Sequence, residues 1–147
     1  KLHPAGKRRS SDLNRKGLGE IIFSNPAERQ WLEQQIHPYV RDRFQSELDT
    51  IVAPTVILVI PLLFEAKMTD LVTEIWVVSC SAEQQLRRIQ KRDRISKEQA
   101  QARINSQLPL QQKIALADLV LDNSSTQEAL IQQVSTALAS NPYHPYF

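Results

Sequence analysis

The sequence predicts an α/β domain built on a parallel sheet, from three features of the chain. Two continuously apolar runs rich in branched residues, TVILVI at Thr55 to Ile60 and IWVVSC at Ile75 to Cys80, read as strands covered on both faces. A shorter run, Asp118-Leu-Val-Leu-Asp122, gives a third strand. Helical segments lie between and after the first two strands, so parallel pairing through right-handed crossovers is expected.

In chain order, KLHPAGKRRSSD at residues 1–12 is basic, lacks the apolar centre of a secretory signal and reads as a flexible start. Asn25-Pro26-Ala27-Glu28 offers an Asn cap, a proline where no amide hydrogen is needed and a carboxylate three residues after the cap. The helix it opens is expected to bury Trp31, Leu32 and Ile36, then to break or kink near His37-Pro38, because proline disfavours helical geometry in the residue before it. Pro38 can open a second helix with Val40, Phe44 and Leu48 inward. Ser81-Ala-Glu-Gln84 and Ser96-Lys-Glu-Gln99 fit the Ser-x-x-Gln capping box and predict helices over about 82–92 and 97–107. A short helix can follow Pro109, and Ser125-Thr-Gln-Glu128 predicts a final helix to about Ala139 before a loose tail, NPYHPYF.

Composition narrows the class. A chain of 147 residues with 41% hydrophobic content can bury one core. The longest apolar stretch, Ile51 to Phe64, has fourteen residues and two prolines, short of the roughly 20 that cross a bilayer, so no membrane partner is expected. The single cysteine, Cys80, rules out a disulfide framework, reads as core and suits a cytoplasmic protein. A formal charge of +2 does not by itself call for nucleic acid.

The positive charge is nonetheless concentrated. Arg87, Arg88, Lys91, Arg92 and Arg94 put five cations in eight residues, interrupted by Asp93. Arg88 and Arg92 stand four apart on one helix face, where they could clamp a polyphosphate or simply face solvent. RNA binding is weakened as a third reading because no aromatic residues interleave to stack bases. Arg103 lies between Gln99 and Gln107 at four-residue steps, a polar stripe that is either a phosphate contact or plain surface. Glu65 closes Pro61-Leu-Leu-Phe-Glu65 at the carboxyl end of the first strand, where open α/β sheets bind ligands. It could orient a sugar hydroxyl or serve as a helix-start carboxylate. His37 reads either as a packed histidine at a helix break or as a ligand, while Asp122 and Asn123 suit turn chemistry. No metal-ligand cluster is evident. No GxxxxGKS/T loop occurs, and the Gly6-Lys7 pair is followed by Arg8 where a magnesium-binding hydroxyl belongs.

Taken in order, these motifs resemble the dephospho-CoA kinase family over about Leu13 to Ala139. Leu13-Asn14-Arg15, Ile22-Phe23-Ser24-Asn25-Pro26, Leu32-Glu33 and His37-Pro38 resemble its substrate-side helical region. Pro61-Leu-Leu-Phe-Glu65 resembles the signature after its third core strand. Gln85-Leu-Arg-Arg88 with Arg92, and Ala102-Arg103-Ile104-Asn105-Ser106-Gln107, resemble its lid, and Ala117-Asp118 with Asn123 its last strand and adenine-side turn.

The resemblance implies a P-loop, nucleoside-monophosphate-kinase-like fold in which 13–54 form the CoA-side helices, 55–80 core strands, 81–116 the lid and 117–140 the last strand and helix, with 141–147 a tail. It implies transfer of the ATP γ-phosphate, with Mg2+, to the ribose 3′-hydroxyl of dephospho-CoA. It also implies Arg88, Arg92 and Arg103 as phosphate contacts, Arg15, His37 and Glu65 on the substrate side, and Asn123 near adenine. The family's first strand, P-loop and early aspartate lie upstream of the segment matched by Asn14-Arg15, and residues 1–12 match none of them. The sequence therefore predicts an incomplete sheet lacking the first strand and P-loop, with apolar edges open to self-association. A catalytically silent CoA- or nucleotide-binding fragment is the alternative function.

Overall fold

The computed structural model describes residues 13–140; the expectations of a flexible start at 1–12 and a loose tail at 141–147 lie outside it. Helix α1 covers Arg15–Ser24 and α2 Pro26–Leu48; β1 is Trp76–Ser79, α3 Ala82–Asp93, α4 Lys97–Asn105, α5 Leu110–Ala115, β2 Leu119–Asp122 and α6 Gln127–Ser140. The two strands pair in parallel, with Trp76 opposite Leu119 and Ser79 opposite Asp122. Asp118 sets this register from outside the ladder: its carboxylate accepts the Ile75 amide at 2.7 Å and its own amide donates to the Ile75 carbonyl at 2.9 Å. At the far side, the Gln133 side chain on α6 accepts from the Asp122 amide and donates to the Asp122 carbonyl, at 2.8 and 2.9 Å.

The caps account for most helix starts. Asn25 accepts the Ala27 amide at 3.0 Å, and Ser96 with Gln99 forms a complete capping box. Ser81 caps α3 through the Gln84 amide, but the Gln84 side chain does not return to the cap. It donates instead to the Ser124 carbonyl at 2.7 Å, tying α3 to the turn after β2. The last cap falls one residue later than expected, on Thr126, whose hydroxyl accepts the Ala129 amide.

Three expectations need correction. Helix α2 runs unbroken through His37 and Pro38. A proline in a helix interior costs about 3 kcal/mol, a cost that the remaining bonds of a 23-residue helix absorb here. Trp31 and Ile36, expected inside, are 60% and 45% exposed. Helix α1, with 10 residues against 23, spans about 15 Å of the roughly 35 Å of α2 at 1.5 Å per residue and cannot cover it.

The third correction is TVILVI, which is not a strand: Val56 to Ile60 join no ladder among the described residues. A strand exists only against a partner about 4.8 Å away. Here a groove of about 950 Å³ separates this run from β1, lined by residues including Leu58, Ile60, Val78 and Val134. Ile57 and Val59 are consequently 73% and 81% exposed. The buried apolar residues among those described are Met68, Val77, Ala100 and Leu121.

Helix α1 lies in the region that the family resemblance implied to be helical, though no start signal was read for it from the residues. Asn14 caps it by accepting the Gly17 amide at 2.9 Å, and the helix forms although Gly17 and Gly19, poor helix formers, sit in its interior.

Candidate phosphate site

The carboxyl ends of β1 and β2 lie side by side, with the Asn123 amide donating to the Ser79 carbonyl at 2.7 Å. The chain leaves β1 directly into α3, which crosses the turn after β2 at Gln84 and Arg88. Arg88 anchors the crossing: its Nη1 donates to the Asn123 carbonyl at 2.9 Å. Arg88 and Asn123 are therefore brought together, with Asn123 taking part through its backbone.

One turn on, Arg92 and Arg103 converge on Asp93. Arg92 grips its neighbour's carboxylate in a fork, Nε to Oδ1 at 2.7 Å and Nη2 to Oδ2 at 3.0 Å. Arg103 Nη1, from α4, donates to the same Oδ2. The two cations, the Arg92 hydrogen bond first, hold the Asp93 carboxyl below its ordinary pKa. Arg103 also lies over the Phe23 ring of α1, 5.0 Å from its centroid, a cation–π distance. A guanidinium carries five N–H donors, and Arg103 spends one on Asp93. Donors remain on Arg88, Arg92 and Arg103 for an anion, and the Arg92 side chain is 73% exposed.

Glu65 stands elsewhere. It accepts the Leu108 amide and the Lys113 ammonium, each at 2.8 Å, which pins the turn after Ile60 to the start of α5. Partial burial pushes its carboxyl up, but the hydrogen bonds from Lys113 and from backbone amides outweigh burial and leave it below the ordinary range. Its Oε2 is buried and has no hydrogen-bond partner among the described residues. Arg15, exposed on the first turn of α1, and His37, half-buried in the middle of α2, make no side-chain hydrogen bond or ion pair among the described residues and do not meet Glu65. Cys80 is half-buried at the end of β1.

Asp93, Phe23 and Lys113 were not singled out by sequence reasoning as site or anchoring residues. Asp93 was visible as the acid within a cationic run, but its bond to a residue ten positions on depends on how α4 folds back. Among the described residues no three His, Cys, Asp or Glu side chains gather as a metal would require, and no helix is long and apolar enough to cross a membrane.

Comparison with known proteins agrees with the parallel α/β arrangement. A family model described as dephospho-CoA kinase matches residues 7–128. The dephospho-CoA kinase of Trichormus variabilis is 61% identical over 126 residues, covering 86% of this chain and 64% of the relative. That of Synechocystis sp. is 53% identical over 126 residues, covering 85% and 63%. The chain thus spans less than two thirds of the length of these curated relatives. Among solved structures, TT1252 from Thermus thermophilus superposes with a TM-score of 0.71 at 34% identity, over 89% of this chain and 69% of that one. Dephospho-CoA kinase from Campylobacter jejuni gives 0.56 at 29% identity, over 86% and 64%. With a P-loop kinase fold in its structural neighbours and a family match over most of its length, the chain belongs to the dephospho-CoA kinase family.

Proposed function

We propose that this chain supplies the acceptor side and the lid of an enzyme that transfers the γ-phosphate of ATP to the ribose 3′-hydroxyl of dephospho-CoA, the last step in making coenzyme A. The observation that carries the reading is the pair of arginine anchorages along α3: Arg88 held on Asn123 at the carboxyl ends of the parallel strand pair, and Arg92 with Arg103 held on Asp93 one turn on. Phosphoryl transfer depends mainly on positioning and charge stabilisation, and one well-placed arginine contributes on the order of 10³ to 10⁵ in rate.

In this reading Arg88, Arg92 and Arg103 contact phosphates, and Asn123 borders adenine. Arg15, His37 and Glu65 serve the substrate side. Among the described residues no three His, Cys, Asp or Glu side chains gather. A magnesium ion that bridges phosphates needs only one or two protein carboxylates, and the roles assigned here rest on the arginines. The reading places the protein in the cytoplasm, without nucleic-acid or membrane partners, and with self-association through Val56 to Ile60 and the facing side of β1.

Calorimetric titration of the 147-residue chain with dephospho-CoA tests the reading. Saturable binding that weakens about tenfold or more in Arg88→Ala and in Arg103→Ala, with unchanged far-ultraviolet circular dichroism, is expected. Absence of binding by the folded chain, or variants that bind as well as the parent, would overturn it.

A further inference from the structure

Asp93 holds two of the three candidate phosphate-binding arginines at once, and the fold around it is arranged to let it. It is the last residue of α3, and Arg94 after it takes left-handed geometry, φ 53° and ψ 49°, which ends the helix and turns the chain. Helix α4 then returns closely enough that Ala100 is wholly buried. The return brings Arg103 to Asp93 Oδ2 while Arg92 occupies both carboxylate oxygens from the other side. The Asp93 side chain is 19% exposed and that of Arg103 31%, so solvent competes weakly for the contact between them.

Arg103 is thereby fixed at two points, by hydrogen bond to Asp93 and by its face on Phe23. A guanidinium held on a carboxylate and a ring presents its remaining donors in one direction, and the entropy of ordering a long side chain is met before a ligand arrives. The carboxylate also keeps two like charges in one small volume.

We propose that Asp93 is the positioning residue of the α3–α4 hairpin: it aims Arg103 at the phosphate-bearing ligand and couples Arg92 to it, an inference resting on the reading of Arg103 as a phosphate contact. Arg92 and Arg103 therefore act as one unit through Asp93. Phe23 extends that unit to α1, the helix that opens the substrate-side region. The Asp93→Asn side chain keeps the shape but lacks the charge and one acceptor oxygen, so the Arg92 fork cannot form and the hold on Arg103 loses its charge assistance.

The test is a cycle of dephospho-CoA affinities in the 147-residue chain: Asp93→Asn, Arg103→Ala, the double variant and Asp93→Glu. A long side chain that the ligand itself must order forfeits affinity, so Asp93→Asn is expected to weaken binding about tenfold. The loss in the double variant should fall short of the two single losses combined, because Asp93 acts in part through Arg103. Asp93→Glu, which retains the charge, should recover most of the affinity. Additive effects of the two changes, or Asp93→Asn binding as the parent does while Arg103→Ala is weakened, would overturn the positioning role and leave the phosphate reading standing. Arg103→Ala binding as the parent does would overturn both. Should Asp93→Asn lose its helical circular dichroism, the same cycle run with Asp93→Ala, which removes the carboxylate and places a good helix former at the end of α3, decides: additivity with Arg103→Ala refutes the coupling, and non-additivity supports it.

Discussion

Replacing Glu65 by alanine removes a carboxylate that joins two distant parts of the chain. Its partners are the Lys113 ammonium and the Leu108 amide, both at 2.8 Å, and the Lys113 and Glu65 side chains are only 13% and 18% exposed. An exposed ion pair contributes about 0 to 1 kcal/mol, whereas breaking a buried one by removing a single partner costs about 3 to 5 kcal/mol, since it strands the remaining charge. At less than one-fifth exposure the pair lies toward the buried limit, and the amide bond to a charged acceptor adds to the loss. The expected destabilisation is about 2 to 4 kcal/mol, read as a fall in urea midpoint at unchanged slope.

Adding Lys113→Met removes the stranded ammonium. The double variant should accordingly be more stable than the two single losses summed, by about 1 to 2 kcal/mol. The pH dependence has a definite sign. Because the folded carboxyl titrates below its ordinary value of 4.5, its contribution is fully present above that value and is lost as pH falls through the lower, folded one. The gap between parent and Glu65→Ala should close in acid. A change under 0.5 kcal/mol at neutral pH, or strict additivity in the double variant, would refute the reasoning.

Two further predictions follow from geometry. A methyl at Gly19 would meet only the Phe23 ring at 3.5 Å, so Gly19→Ala should raise stability by about 0.5 to 1 kcal/mol in thermal melts, while Gly17→Ala, whose methyl would meet the Asn14 cap at 3.0 Å, should gain less or lose. Ile57 and Val59 project from the unladdered apolar run, and charged residues, lysine especially, blunt such edges. Ile57→Lys with Val59→Lys should shift sedimentation velocity toward monomer, and an unchanged distribution would place any association elsewhere.

Local chemistry was legible in the sequence because its partners are near in the chain. Asn25, Ser81 and Ser96 cap helices two or three residues away, and the observed α3 and α4 start where those caps put them. The parallel pair was legible from IWVVSC and DLVLD, whose apolar character matches the strands that form. TVILVI misled because apolar character states that a run wants cover but not that a partner stands one ladder spacing away. Pro38 misled because a local preference was outweighed by the rest of a long helix. Arg88 and Arg103 were visible as residues, yet the Asn123 carbonyl, Asp93 and the Phe23 ring that hold them lie 35, 10 and 80 positions away. Nothing in residue spacing encodes those contacts.

The most direct test of the functional account is turnover in a chimera in which the amino-terminal segment of the Trichormus variabilis relative, up to the start of the match, is joined to residues 13–147. With magnesium, ATP and dephospho-CoA, the account predicts ADP and coenzyme A in equal amounts, and a loss of turnover of about 10³-fold or more in Arg103→Ala. A folded chimera that binds both substrates yet forms no coenzyme A, or one whose turnover is indifferent to Arg88, Arg92 and Arg103, would contradict it.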